Sequence, residues 1–524
     1  MQSYNLIDQP WITCLMKDGS VREVGIHECL ARAPDIAEIT DPSPLIVVSL
    51  HRLLLAILHR NFGPENHATW GELWEKGHWD TRVVDAYLEE WRDRFDLLHP
   101  DRPFYQVPAT EVEVRKLVPV SALSHYHLSD KTSWFNHQPG DGVCPHTLAT
   151  AARLLIMRQA YSFCGWELGK LSDKVTPLLG RTALMMSGRT LAETLLLNLL
   201  RYDPEDAEPV IGTPEDAPIW EQDLPGRMEE RPIRGYLDYL TWQNRRIWLE
   251  PPSDASYPMV LHAKIDFGVR PTDELAGMDP MLLWQTAKKA DGAPYTSPEP
   301  REDKALWRDA HTLLASTEEV RPPRVRAWVG SLVARGVVPP EYHASMTGCV
   351  HLACRKEKKA ESWRHERFPL PLRYLTDADL AESLDLSLGA AEDAAQVILA
   401  ASWRLATVRL DPTGTRSPDR AEVDRLITGF PAQRLYWSRL EAPFHQFVLA
   451  LPTDRDAALA QWRQTLWRTA TRSFDEAAAG LEGSTDNLRA TVAGRAALRS
   501  GLRKALAALD VSDHREETVT HGAI

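Results

Sequence analysis

Cysteine is scarce in this chain. There are six in 524 residues, at positions 14, 29, 144, 164, 349 and 354, and none forms a CxxC pair. Cys349 and Cys354 alone are near neighbours, and no second cysteine or histidine pair completes a zinc site around them. The thiols therefore read as buried or reduced, as in a cytosolic protein. Long apolar runs are lacking too: none approaches the ~20 residues of a membrane helix. The start, MQSYNLIDQPW, has neither the basic lead nor the apolar stretch of a signal peptide. A cytoplasmic location without a membrane partner is the expectation. There is no GxxxxGK[ST], no GxSxG, no HExxH and no dinucleotide fingerprint after a strand. No repeat of 20–50 residues is present. No cofactor is expected.

Excess positive charge is also missing. The formal net charge is −13, against the net basic domain of a free-standing nucleic-acid binder. Any contact with DNA is then confined to small loops, with partners supplying the remaining affinity. What the chain does have is length and tryptophan. At 524 residues it exceeds one ordinary core, so two or more domains are expected. Its 18 tryptophans are candidates for core and interface anchors.

Residues 4–12 and 20–25 read as a short β entry. In 45–60, Leu50, Leu53, Leu54, Ile57 and Leu58 recur at helical spacing, one apolar face. His51, Arg52, His59 and Arg60 fall off that stripe and read as a solvated face. Helices are expected over 70–98, stopped by Pro100 and Pro103, and again over 147–161 and 194–200. Residues 129–146 are a Gly/Pro loop carrying the pair Trp134–Phe135. Residues 203–233, rich in Pro, Asp and Glu, read as a long surface loop. The segments 236–250 and 257–268 read as strands, and helices resume near 304–336. After about Pro371 the segments 376–386, 388–411, 418–449, 454–480 and 485–509 have helical period and short breaks. The expectation is an α+β protein in which a large, mixed, mostly helical domain (1–370) precedes a C-terminal four-helix bundle (371–510). Val397, Leu399 and Leu405 would lie on a buried stripe with Trp403 nearby. The polar tail 511–524 is expected to be disordered.

Seven stretches together carry a resemblance: NLIDQPWI at 5–12, LHRLLLAILHR at 50–60, RFDLLHPDRPFYQ at 94–106, WFNHQPGDG at 134–142, TLLLNLL at 194–200, YLDYLTWQ at 236–243 and YWSRLEAPF at 436–444. In this order and over most of the chain, they resemble the CasA family, the large subunit of the type I-E CRISPR Cascade surveillance complex. The resemblance implies a non-catalytic protein. Its partners would be the other Cascade subunits, the 5′ handle of the CRISPR guide RNA, double-stranded target DNA, and a helicase-nuclease recruited after the R-loop forms. It would check the PAM, the short motif beside the target, through the minor groove and help open the duplex. Guide pairing reads sequence in such systems, while protein reads a short flanking duplex and backbone shape.

The same resemblance suggests site residues. Trp134, Phe135 and Asn136 match the loop that meets the guide handle, where aromatics can stack on bases; the plainer alternative is a loop packed on its own domain. Gly165, in SFCGWELG, matches a glycine loop that approaches the PAM, although Cys164 and Trp166 stand where relatives carry more glycines. Absence of a Cβ lets backbone come close to base edges. Lys264, in VLHAKIDF, matches a lysine that donates to minor-groove acceptors, or else faces water from its strand. Lys358 and Lys359 fall at the tip of a strand-separating wedge, where relatives carry amides. A lysine pair can grip phosphates, or can be one solvated charge run: residues 355–367 hold six Lys/Arg against three Glu. His125, His127, His137 and His146 raise the competing idea of a metal-dependent nuclease, but no carboxylate stands at a supporting spacing. A purely architectural scaffold is the third reading.

Overall fold

The computed structural model describes residues 3–124, 143–161, 177–203, 208–210, 212–254, 256, 258–272, 279–286, 295–298, 300–301, 304–310, 320–352, 362–481 and 483–510. The fold is mixed α+β with a helical C-terminal region. It divides into two compact units. The first comprises Met1–Leu306, Ser316–Pro339 and Ala344–Arg367; the second comprises Trp307–Ala315, Pro340–His343 and Phe368–Ile524. Short upstream pieces, and not only the residues after about 370, therefore belong to the second unit.

In the first unit, strand β1 (Ile12–Met16) pairs antiparallel with β2 (Val21–Val24) and β3 (Ile36–Ile39). The N-terminal stretch 4–11 lies ahead of this sheet and joins Asp96 through an isolated bridge at Asn5. Helix α1 (Pro44–Phe62) begins with proline at its first position, where no amide hydrogen is needed. The expected stripe is fully buried: Leu50, Leu53, Leu54, Ile57 and Leu58 are all 0% exposed. The expected solvated face is not there. His51, Arg52 and His59 are buried as well, and only Arg60 of the four is exposed. By length and composition alone α1 is apolar enough to cross a membrane, contrary to the expectation of no such run, but protein surrounds most of it. A mostly enclosed helix must pair its buried polar groups internally, and it does so in part: the His51 and His59 rings donate to the carbonyls of Val47 and Leu55 in the preceding turn, and Arg52 pairs with Asp279, while Arg52 Nη2 and His59 Nε2 are buried without a hydrogen-bond partner among the described residues.

Two other expectations are corrected. The stretch 203–233 is not simply a surface loop, since Asp216, Ile219, Trp220 and Ile233 are buried. Trp220 Nε1 donates to the Tyr87 hydroxyl at 2.6 Å, and Asp216 accepts the amides of Leu237 and Asp238. That carboxylate starts a short helix, Tyr236–Leu240, where a strand was expected; only Arg245–Leu249 of that segment is extended. Aromatic content favoured a strand, but the Asp216 cap supplied two of the orphan amides of a helix start.

In the second unit, helix α2 (Ala378–Leu410) runs unbroken through the expected interruption near residue 387. It buries Leu380, Leu384, Leu388, Ala391, Ala395, Ile398, Ser402 and Leu405 at helical spacing. The buried stripe is centred on Ile398, while Val397, Leu399 and Trp403 flank it half-buried. The expected helix 418–449 is broken into Arg420–Thr428, Ala432–Ser438 and Glu441–Ala450, with Pro431 and the Ser438–Leu440 turn as breakpoints. The last long helices are α3 (Arg455–Ala479) and α4 (Thr485–Ala505), begun by side-chain caps from Asp454 and Ser484. Glycine lets α4 approach closely: a Cβ at Gly494 would stand 2.6 Å from Phe474 Cζ, and one at Gly501 2.5 Å from Val397 Cγ1. Trp307 stacks on Phe444 at 4.6 Å, and Arg308 forks onto Glu392. The tail 511–524 lies outside the described residues.

Candidate nucleic-acid interface

Of the residues singled out in the sequence, Trp134, Phe135, Asn136, Gly165, Lys358 and Lys359 lie outside the described residues. Lys264 is described, and the site is built from it. Strand β4 (His262–Phe267) pairs antiparallel with Arg245–Leu249, in the register Lys264↔Trp248 and Asp266↔Arg246. Alternation along a strand sends successive side chains to opposite faces. Ala263 and Ile265 are buried on one face, and Lys264 stands on the other with Trp248.

The ε-ammonium of Lys264 donates to the Glu113 carbonyl at 3.3 Å and lies 5.7 Å from the centre of the Trp248 ring. An ammonium has three hydrogens to donate. The carbonyl takes one, and the ring face attracts the charge without taking up a lone-pair position. The side chain is thus held in place while donors remain for another acceptor. The flanking charges are paired. Asp266 receives hydrogen bonds from Arg115 and, at 2.9 Å, from Arg227. Burial would raise the Asp266 carboxyl, but those bonds and the Phe267 amide hold it below the usual carboxylate range. Arg246 pairs with Glu111, and the His262 ring meets Glu250 at 2.7 Å.

Among the described residues, this face therefore displays one ammonium held by a carbonyl and a ring with no carboxylate on it, beside arginines that are paired with carboxylates. Such a cation can donate to purine N3 or pyrimidine O2, the acceptors of the minor groove. Sequence reasoning found Lys264 but missed its holders, Trp248 and Glu113, and its neighbours Arg115, Arg227 and Arg246. The signal for two of them was present: in RRIWL, alternation puts Arg246 and Trp248 on one face, and only the pairing register shows that this face is the lysine's.

Of the histidines that suggested a metal, His146 alone is described. It is half-buried, and burial pushes its ring down from the ordinary histidine value. Among the described residues no group of three or more His, Cys, Asp or Glu side chains is placed to hold a metal ion. The four described cysteines, Cys14, Cys29, Cys144 and Cys349, form no disulfide among the described residues, and burial pushes Cys349 up to about 12.

The profile of the CRISPR-associated protein Cse1 family matches residues 5–473. The CRISPR-associated protein CasA/Cse1 of Thermus thermophilus is 32% identical over 502 residues, which cover 90% of this chain and 93% of that protein. The solved structure of Thermus thermophilus CasA (Cse1) superposes with a TM-score of 0.77 at 28% identity, covering 96% of this chain and all of the other. A chain of a CRISPR RNA-guided surveillance complex shares the fold at 21% identity, with a TM-score of 0.72, over 95% of this chain and all of its own length.

Proposed function

The chain belongs to the CasA/Cse1 family, the non-catalytic large subunits of type I-E Cascade, and from that premise we propose that it recognises the PAM of duplex DNA through the minor groove and helps open the duplex. In this reading Lys264 donates to a minor-groove acceptor of the PAM, and backbone at Gly165 approaches the base edges. Lys358 and Lys359 act on the separating strands. Trp134, Phe135 and Asn136 meet the guide-RNA handle and the neighbouring subunits. The subunit then offers the docking surface for the helicase-nuclease, and it works in the cytoplasm. The three long helices of the second unit, with Ala432–Ser438 and Glu441–Ala450 as one interrupted arm, are read as a four-helix bundle.

The observation that carries the proposal is the anchored ammonium of Lys264, poised between Glu113 and Trp248 with donors to spare. Because the minor groove distinguishes base pairs only coarsely, a lysine reader predicts tolerance of several PAMs. The test is binding of the assembled complex to matched and mismatched PAM duplexes, with Lys264 and with Lys264→Ala. The substitution should cost roughly 1–3 kcal/mol, the usual value of one good base contact, and alter the ranking of PAMs. Unchanged affinity and ranking would remove Lys264 from the reading. No PAM dependence even in the unsubstituted complex would favour a purely architectural subunit.

A further inference from the structure

Strand β5 (Thr182–Ser187) pairs with β6 (His343–Leu352), in the register Thr347↔Met185 and Ser345↔Ser187, and β6 neighbours β7 (Ser362–Pro371) in the same sheet. Ser187, Thr347, His365 and Arg367 line a cavity of about 510 Å³, closed on its other side by the start of α1 and the end of β3. That volume falls among small-ligand sites, roughly 300–1,000 Å³. The cavity lies within the first unit.

Its walls offer donors and acceptors together. His51 is buried, and its Nδ1 donates to the Val47 carbonyl at 2.7 Å, which leaves Nε2 as an acceptor on the neutral ring. Burial pushes that ring down from the ordinary histidine value, which favours the neutral form. The Ser187 and Thr347 hydroxyls share one hydrogen bond of 2.7 Å, so the pair keeps one hydrogen and lone pairs for a guest. Arg367 donates through Nε to Thr347 at 3.2 Å and through Nη2 to Glu38 at 2.7 Å. Asp41 accepts the Ser43 amide and stands 3.4 Å from Arg153.

A phosphate site needs convergent, uncompensated cations. Of the lining arginines, Arg367 is balanced by Glu38 and Arg189 by Glu193 at 2.8 Å, while Leu15, Val47 and Met185 supply apolar wall. The lining suits a neutral group with an apolar body and an edge that both donates and accepts, which describes a nucleobase. A base can enter such a cavity whole only when it is unpaired and out of the stack. The two strands β6 and β7 are joined by residues 353–361, which contain Lys358 and Lys359. Thr347 and Arg367 lie five residues from the strand ends Leu352 and Ser362 that flank this connection, roughly 17 Å along a strand.

We propose that this cavity receives one unpaired nucleobase of the DNA strand released when the duplex is opened beside the PAM. The source of the base rests on the function proposed above; the fit to an unpaired base does not. The test uses the full chain in the assembled complex with targets carrying 4-thiothymidine singly at each position beside the PAM, on either strand, fully paired or pre-opened by a mismatched bubble. After irradiation, crosslinked peptides are mapped. Pre-opened targets should crosslink from one position to the segments 38–51 or 185–187. Val47→Phe, which places a ring in the cavity from a half-buried helix position, should cut that crosslink several-fold. Crosslinks found only elsewhere, or a pocket crosslink undiminished by Val47→Phe, would overturn the proposal. Because the bubble supplies the unpaired base, a failure of PAM reading or duplex opening appears as equal binding of matched and mismatched targets, separately from the crosslink map.

Discussion

Arg52 Nη1 lies 2.8 Å from Asp279 Oδ2, with the two side chains 2% and 0% exposed. The pair ties the middle of α1 to a segment more than two hundred residues away in sequence. The Tyr239 hydroxyl at 2.9 Å and the Met281 amide at 2.8 Å also donate to this carboxylate. Removing one partner of a buried pair strands the other, at a cost of about 3–5 kcal/mol. Arg52→Met should therefore destabilise the first unit by that order in urea unfolding. The double change Arg52→Met with Asp279→Leu, which leaves no buried charge, should cost less than the sum of the two single changes. Strict additivity would show that the charges are not coupled.

His59 gives the fold a pH dependence. It is buried, its Nδ1 donates to the Leu55 carbonyl at 2.9 Å, and its ring meets Tyr236 edge-on at 5.0 Å. Burial pushes its pKa down to about 4, whereas an unfolded histidine titrates near ~6.5. Between those values the unfolded chain takes up a proton that the folded one refuses. The contribution is complete above pH ~6.5, falls as pH drops, and is exhausted near the folded value, by up to about 3 kcal/mol. Unfolding curves at pH 7.5 and 4.5 should show a smaller loss on acidification in His59→Gln than in the unsubstituted chain. An identical loss would place the pH dependence elsewhere.

Gly165→Asp puts a side chain and a negative charge where backbone is proposed to approach DNA. Duplex binding by the assembled complex should be abolished even at low salt, where phosphate attraction is strongest. Retained binding in a mobility-shift series would remove Gly165 from the PAM contact.

The Lys358→Ala, Lys359→Ala double variant addresses duplex opening. It should weaken fully paired targets much more than targets pre-opened by a mismatched bubble. It should also reduce the salt slope of binding by up to about two units, one per phosphate contact. Equal losses on both kinds of target would turn the wedge into a generic backbone grip.

For the stretch 134–136, Trp134→Ala with Phe135→Ala should lower co-purification with the guide-bearing subunits, since base stacking is worth roughly 1–3 kcal/mol per base. Full recovery with normal target binding would remove these aromatics from the proposed handle contact.

The sequence by itself determined the family, the α+β class, the helical C-terminal region and the apolar stripe of α1. These rest on local period and on residue strings read in order, which need no knowledge of what packs against them. It also supplied Lys264, but as one lysine on one strand. Only the tertiary structure decided that Trp248 and the Glu113 carbonyl hold it, because strand register brings together residues sixteen and 151 positions away from it in the chain. The same reason explains the errors. His51, Arg52 and His59 look solvent-facing on a helical wheel, and a wheel cannot show that partners such as Asp279 enclose the other side. Tyr236–Leu240 looks like a strand until Asp216 caps it. Val397 and Leu399 look as apolar as Ile398, and the direction from which the neighbouring helices approach decides which of the three is buried. Periodicity fixes where a side chain points relative to its own element; what stands there is set by long-range packing, and that is where charge, burial and function are settled.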